Sequence, residues 1–584
     1  MPRLGAIVFA WAWILAGIPQ LSAEQTAAAK ETGTAARSRL YAQGQHGAVA
    51  TVHPLATEAA LRVLREGGNA IDATVAAGLT LSVVDGFNSG IGGGCFFLIR
   101  SADSRITAID GRETAPAAAT PDMYVRDGKL VDGLSTTGPL ACGVPGALAA
   151  WDMALRDHGT RSLAELLLAA ADLAESGFIL SEAYAGRLAS VSDALRRFEG
   201  SRAVFLREDG SPLQAGERLV QMDLAETFRS VAREGLDWFY GGGFAQRIED
   251  WMRENGGLLT ATDFRGYRAK RRAPLVMAYR GHEVVGFPPP SSGGVHAGQI
   301  LGMIETISYG ERYGVENFRS LAAVDRWHLV AEAMKRAFAD RAYWLGDPDF
   351  APVPRGLLDP AYLRELAAGI DPKRALPVEK HGEPPNADAD LFSRHTTHYT
   401  VADEEGNWAA CTATINTTFG SKVVVPGTGV VLNNEMDDFS ALPGAPNAFG
   451  LVGAEANAIA PGKRPLSSMS PTIVLRDGEP VFAVGAAGGP TIISQVVLAV
   501  MRRIDLGEEL LQILAAPRLH HQWRPDLLEL EPGWSEEIRA GLAERGHRIG
   551  QRGSMGVSQA VARGPSGMLE AASDPRVDGA AAAY

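Results

Sequence analysis

The residues best placed to do chemistry sit in two strand-like runs near the middle of the chain. His395, Thr396, Thr397, His398 and Tyr399 open the first run, residues 403–407 (DEEGN) read as a turn, and residues 408–416 (WAACTATIN) return. Strand side chains alternate, so Ala409, Cys411, Ala413 and Ile415 share one face and Thr412, Thr414 and Asn416 the other. Pairing Val401 with Trp408 sets Thr396 against Ala413 or Thr414, and a slip of one residue would reverse the face. Thr396, Thr414 and Asn416 are therefore expected to gather at one strand end. The plainer alternative is a Thr-rich sheet edge, because β-branched residues favour strands. A threonine hydroxyl is a weak nucleophile that needs a base. Cleavage before Thr396 would supply one, the residue's own α-amine, whose reference pKa of about 7.7–8.0 falls toward neutrality on partial burial. The same hydroxyl could first attack the His395 carbonyl to form an ester that water hydrolyses, so one group would serve maturation and catalysis.

Other residues offer complementary chemistry. Glu435 and Asp438, three apart after Asn433-Asn434, make either an ammonium-binding carboxylate pair or a solvated acidic turn. Arg112 can fork onto a carboxylate or form a surface ion pair. Gly488-Gly489 is either a turn or a place where backbone N–H groups approach an oxyanion. Gly90 to Gly94 is glycine-rich but lacks a P-loop Lys-Ser/Thr, and it reads as close backbone packing. Residues 556–560 (GVSQA) are not a full GxSxG elbow. His520-His521 lacks partners at zinc spacing. Cys95, Cys142 and Cys411 form no CxxC, which argues against structural zinc and a disulfide framework.

These groups need a scaffold, and the 584-residue chain is long enough to bury one. Hydrophobic residues are 46% and charged residues 21%, a globular balance, and the net charge of −13 argues against nucleic acid as partner. Residues 1–23 read as a secretory signal, too short for a comfortable membrane span. Residues 24–44 are expected to lack structure. Helices are expected over 55–66, with Gly67-Gly68 as stop, over 70–81 capped by Asn69, after the Ser162/Glu165 capping box to near Gly177, and over 320–345. Strands are expected near 95–100, 105–110, 283–287, 397–401, 408–416, 422–432 and 471–475. Blocks of helix and strand point to a layered α/β or α+β fold. Residues 371–394 are polar, with four prolines, and read as an exposed flexible linker.

The motifs TTHYTVADEEGN (396–407), INTTFGS (415–421), LNNEMDDFS (432–440) and KRPLSSMSPT (463–472) resemble the γ-glutamyltranspeptidase family. So do GGNAIDA (67–73), DGRETAP (110–116), PPPSSGGVH (288–296), LGDPDF (345–350), HHQWRPD (520–526) and ASDPR (572–576), all in family order. The resemblance implies an N-terminal-nucleophile hydrolase: an α+β fold with two stacked antiparallel sheets between helical layers (αββα). It implies self-cleavage of an exported, periplasmic or extracellular precursor into a large chain (45–395 after the unstructured segment) and a small catalytic chain (396–584) that form a heterodimer. It implies transfer of the γ-glutamyl group of glutathione and related amides, through an ester, to water or to amino-acid or peptide acceptors. No metal, organic cofactor, nucleic acid or membrane is implied.

By the same resemblance Thr396 is the nucleophile, Thr414 assists it, and Gly488 and Gly489 hold the oxyanion. Arg112, Ser467 and Ser468 bind the substrate α-carboxylate, and Asn416, Glu435 and Asp438 its α-amino group. Residues 441–450 resemble the lid over the site, with Phe449 where many bacterial members carry Tyr. Asp437 receives no role. Two other functions compete: a glutaryl or cephalosporin acylase of the same fold, which would not need ammonium recognition, and an unprocessed binding protein.

Overall fold

Fourteen strands build two seven-stranded antiparallel sheets, one stacked on the other. The computed structural model describes residues 38–385, 397–442 and 444–584. The signal-like residues 1–23, His395 and Thr396 lie outside the described residues. Leu40–Tyr584 forms one compact unit.

In chain order the strands are β1 (Tyr41–Gly44), β2 (Gly47–Thr51), β3 (Gly94–Arg100), β4 (Ile106–Gly111), β5 (Lys270–Arg272), β6 (Leu275–Tyr279) and β7 (His282–Gly286). They continue as β8 (Thr397–Asp403), β9 (Trp408–Thr414), β10 (Thr472–Arg476), β11 (Glu479–Ala487), β12 (Val557–Arg563), β13 (Leu569–Ser573) and β14 (Ala580–Ala583). The first sheet runs β1-β13-β12-β11-β10-β7-β6 and the second β14-β2-β8-β9-β3-β4-β5. The helices that matter here are α1 (Pro54–Arg65), α2 (Ala70–Val84), α3 (Ala147–His158), α4 (Leu163–Ser176), α5 (Gly293–Thr306), α6 (Ala323–Trp344) and α7 (Thr491–Met501).

Three apolar layers define the expected αββα stack. Between the sheets lie Ala50, Phe96, Leu98, Trp408 and Ala410 from one side and Val285, Ile473, Ala483, Val561 and Ala571 from the other. Outside the second sheet, Val49, Phe97, Ile99, Val401, Ala409 and Cys411 pack on Val75, Leu79, Trp151 and Leu167 of α2–α4. Outside the first, Val284, Val474, Phe482 and Val484 pack on Ile300, Leu329, Met334 and Ile493 of α5–α7. Strand alternation sends neighbouring residues into different layers, so both sheets are buried on both faces.

The local signals mostly hold. Asn69 caps α2 by accepting from Ile71 and Asp72 N–H, and Asp72 returns the bond as a full capping box. The helix runs to Val84, past the expected 81, because it is buried on every side and carries no polar face to mark its end. Ser162 caps α4 through Glu165 N–H.

Four expectations need correction. Tyr41–Gly44, placed in the unstructured 24–44 segment, is β1, paired with β13. Residues 422–432 form no strand: only an isolated Val424–Val431 bridge remains, because Lys422, Gly427 and Gly429 take positive φ. Val401 pairs with Ala409 and Trp408 with Ala402, a shift of one. The turn sets that register, since Asp403 N–H donates to Asn407 O (3.1 Å) and Asp403 Oδ1 accepts from Asn407 N–H (2.8 Å). Finally, the described part of the supposed flexible linker is pinned by its backbone. Lys335 Nζ donates to Leu376 O (3.0 Å), Trp523 Nε1 to Val378 O (2.7 Å), Trp344 Nε1 to Gly382 O (3.1 Å), and Gly382 N–H to Asp340 Oδ1 (2.7 Å).

Candidate active site

The β8–β9 hairpin positions the first group of residues. Its last described pair is Thr397 opposite Ala413, and β9 ends one residue later at Thr414; Thr396 precedes Thr397 in the sequence and lies outside the described residues. Thr414 is buried, and its Oγ1 accepts from Asn416 N–H at 2.7 Å. Asn416 has φ 76°, a left-handed conformation that asparagine tolerates better than most residues. This bend turns the amide so that Nδ2 donates to Asn434 O (2.9 Å), while the buried Oδ1 has no partner. Gly92 and Gly93 make the bend possible. A Cβ on Gly93 would meet Thr414 O at 1.8 Å and one on Gly92 would meet Val431 O at 2.1 Å. The close packing expected of that glycine run is thus a packing against the site.

The second group is a buried charged cluster. Arg112, just after β4, is fully buried and reaches Glu435 (2.6 Å), Asp438 (2.6 Å) and Glu113 (3.3 Å). Burial would lower its pKa, but Glu435, Glu113 and Asp438 outweigh that and raise it. Burial pushes Glu113 and Asp438 up to about 7 and Glu435 well above the ordinary carboxylate range, with Arg112 opposing in each case. Among the described residues Arg112 is the cation ion-paired to all three carboxylates, while Arg341 and Arg464 act on Asp438 and Glu113 without such a contact. The Arg112 backbone is fixed by Asp110, whose Oδ1 accepts from Arg112 N–H (2.9 Å) and from Arg464 (2.6 Å).

The loop carrying Ser467 and Ser468 lies against Arg112, whose Nε donates to Pro465 O at 3.3 Å. Ser292 Oγ donates to Ser467 O (2.6 Å) and Ser291 Oγ to Met469 O (2.6 Å), which gives the PPPSSGGVH motif a positioning role. Ser467 Oγ accepts from Met469 N–H (3.3 Å), and Ser468 Oγ is buried without a partner. Glu113 Oε1 and Glu435 Oε1 are also buried without a hydrogen-bond partner. Buried polar atoms are normally paired. Asn416 Oδ1, Ser468 Oγ and these two carboxylate oxygens are exceptions to that rule.

The third group is a glycine pair where β11 meets α7. Gly488 (φ 140°) and Gly489 (φ 61°) take backbone angles that other residues avoid, at the N-terminal end of an 11-residue helix. Thr491 Oγ1 donates to Gly488 O (2.7 Å), and Gln495 Nε2 ties Ala487 O (2.9 Å) to Met555 O (2.6 Å). Phe449 lies over the pair: a Cβ on Gly489 would meet its ring at 2.9 Å. The loop before it is tethered to the acidic turn. Asp437 Oδ2 accepts from Ala448 N–H (3.1 Å), its Oδ1 accepts from Ser135 Oγ (2.6 Å), and Asn447 Nδ2 lies 3.5 Å from Asp438 Oδ1.

The fold thus brings Arg112, Glu435 and Asp438 into direct contact. It sets the loop that carries Ser467 and Ser468 against Arg112 through Pro465, joins Asn416 to the acidic turn, and links that turn through Asn447–Phe449 to Gly489. Sequence reasoning missed Glu113, Asp437 as anchor of the 447–449 loop, Asp85 under Thr397 (3.4 Å), and Arg341. Only Glu113 had a signal, its place beside Arg112 in DGRETAP. His520 is a core residue bonded to Ser494 (2.7 Å), and burial lowers its pKa to about 3. The three cysteines are buried and free.

Residues 56–584 match the Gamma-glutamyltranspeptidase family model. The chain is 44% identical over 546 residues to a glutathione hydrolase proenzyme of Escherichia coli K12, covering 93% of this chain and 92% of that one. It is 40% identical over 553 residues to the acylase ACY 1 proenzyme of Pseudomonas sp. SE83, covering 92% and 93%. Among solved structures, cephalosporin acylase from Bacillus halodurans superposes with a TM-score of 0.82 at 28% identity, covering 94% of this chain and 97% of that one.

Proposed function

The chain belongs to the gamma-glutamyltranspeptidase family, and from that membership together with the site we propose that it cleaves γ-glutamyl amides such as glutathione and passes the γ-glutamyl group to water or to an amino acid or peptide. The observation that carries this reading is the buried Arg112–Glu435–Asp438 cluster. An α-amino acid brings one carboxylate and one ammonium group, and this cluster offers a partner of opposite charge for each. Arg112, Ser467 and Ser468 would take the carboxylate, and Asp438, Glu435 and Asn416 the ammonium. The γ-carbonyl then extends toward Thr396 and the glycine pair.

In the proposed sequence the chain first cuts itself between His395 and Thr396, freeing the Thr396 amine. That amine takes the hydroxyl proton as Oγ1 attacks the γ-carbonyl. Gly488 and Gly489 N–H groups receive the oxyanion, and losing such a donor typically costs about 3–4 kcal/mol in the transition state. Collapse breaks the amide bond, and the leaving amine takes the proton. Water or an acceptor amine then attacks the ester and regenerates the hydroxyl. Residues 1–23 would export the precursor to the periplasm or beyond. No helix among the described residues is long and apolar enough to cross a membrane.

The test is intact mass and γ-glutamyl anilide turnover of wild type and Thr396→Ala. Two chains, the smaller beginning at Thr396, with turnover in wild type alone, is the expected result. Comparable turnover in both would remove the nucleophile. The acylase relative makes a glutaryl substrate the natural rival. Removing one partner of a buried ion pair costs about 3–5 kcal/mol. Asp438→Asn should therefore weaken γ-glutamyl turnover by about two orders of magnitude or more and spare glutaryl turnover, which needs no ammonium contact. Equal losses on both substrates would favour the acylase reading.

A further inference from the structure

Arg341, near the end of α6, is 3% exposed, and its Nε has no hydrogen-bond partner. Its side chain lines a cavity of about 270 Å³ that is also lined by Asp437, Asp438, Asn447 and Leu466. Burial lowers the Arg341 pKa to about 9, and the one charge that opposes this is Asp438. A buried arginine without a carboxylate of its own is costly, and such a charge persists where it compensates another. Asp438 is the candidate.

Among the described residues, charged groups face Asp438 from three places. Arg112 and Glu113 follow β4, Glu435 and Asp437 share its own turn, and Arg341 comes from α6. Lys422 faces Asp437 rather than Asp438. Arg464 acts on Glu113, but of the described cations only Arg112 and Arg341 act on Asp438, and a substrate carboxylate on Arg112 would draw on the first of these. A protonated Asp438 accepts one hydrogen bond less and offers no charge to an ammonium group.

We propose that Arg341, lining the same cavity, is a positioning residue that keeps Asp438 ionised for the ammonium group of the substrate. The inference rests on the γ-glutamyl reading above. Arg341 touches no reacting atom, so its loss acts on substrate affinity and on pH dependence rather than on the chemical step.

The experiment compares KM and kcat of wild type, Arg341→Met, Arg341→Gln and Arg341→Lys between pH 6 and 8.5, on a γ-glutamyl anilide and on the glutaryl anilide that lacks the ammonium group. Each unit by which the Asp438 pKa rises cuts its ionised fraction about tenfold at pH values below that pKa. The neutral variants should raise the γ-glutamyl KM about tenfold or more at pH 7, with kcat within about threefold of wild type. The KM penalty should shrink toward pH 8.5, because hydroxide then ionises Asp438 without help. Arg341→Lys should stay close to wild type, and the glutaryl KM should not move. Neutral variants with wild-type KM at pH 7 would overturn the proposal. So would a loss that is equal on both substrates and independent of pH. Neutral variants that fail to mature while Arg341→Lys matures would assign the charge to the fold and overturn it as well. Absence of γ-glutamyl turnover in wild type would instead sink the functional reading beneath it.

Discussion

Asp85 ends α2 as a fully buried carboxylate that accepts from Asn88 (2.9 Å) and Thr397 (3.4 Å). Burial raises its pKa from 3.8 to about 7, against the pull of those hydrogen bonds. Between these values the folded chain keeps a proton that the unfolded chain releases. The stability this group contributes is therefore present in full below about pH 4 and is lost as pH rises through about 7. Asp85→Asn removes the titration. Relative to wild type, the variant is expected to gain about 1–3 kcal/mol on going from pH 5 to pH 8, read as the shift in urea midpoints at the two values. A difference that does not change with pH would remove Asp85 from the balance. Residue type alone would not have found it. The chain holds 68 acidic residues, and the burial that sets Asp85, Glu113 and Asp438 apart from the exposed ones is decided by elements far away in sequence. Arg112, Glu435 and Asp438 were legible because motifs flank them, whereas Arg341 sits in an ordinary helical pattern that shows nothing of the cavity beside it.

The β8–β9 hairpin has to press one face against the opposite sheet while carrying polar side chains there. It does so with His398, whose Nδ1 pairs with Thr412 Oγ1 (3.0 Å) and Nε2 with Thr400 Oγ1 (2.5 Å). Burial lowers the His398 pKa to about 3, so the ring stays neutral between the sheets. Gly485 on β11 makes the room, since a Cβ there would lie 2.4 Å from the imidazole. Gly485→Ala should therefore push β8 away from β11 and cost about 1–3 kcal/mol, the usual price of overpacking. Because β8 starts one residue after the proposed scissile bond, the variant should also mature more slowly. A time course of precursor conversion beside a melting curve tests this, and wild-type values in both would refute the argument. The alternation of 408–416 was readable from sequence, as were the caps of α2 and α4. The register was not, because Asp403 and Asn407 close the turn through side-chain bonds that a count of residues does not contain.

At the scale of the molecule, both sheets are built from strands that come before and after position 396. In the second sheet β8 and β9 lie between β2 and β3, and β14 closes the edge by pairing with β2. In the first sheet β10 to β13 lie between β7 and β1. The segment 371–385 adds a strap: Ala375 N–H donates to Arg545 O (2.7 Å), Trp523 Nε1 to Val378 O (2.7 Å) and Arg524 to Glu379 O (3.2 Å), all reaching across the proposed cut. Composition marked this segment as loose because its side chains are polar, yet its backbone is what is held. A nick before Thr396 therefore frees an amine without freeing a chain, which is what a nucleophile needs if its surroundings are to stay in place. The two chains are expected to co-elute under native conditions and to part only at the urea concentration where circular dichroism shows both sheets melting. Separation at lower urea, with the dichroism intact, would mean that the strands before the cut are dispensable to the small chain. The shared-sheet argument would then fail, because the chains before and after the cut cannot part without breaking the β2–β14, β2–β8, β3–β9, β1–β13 and β7–β10 ladders.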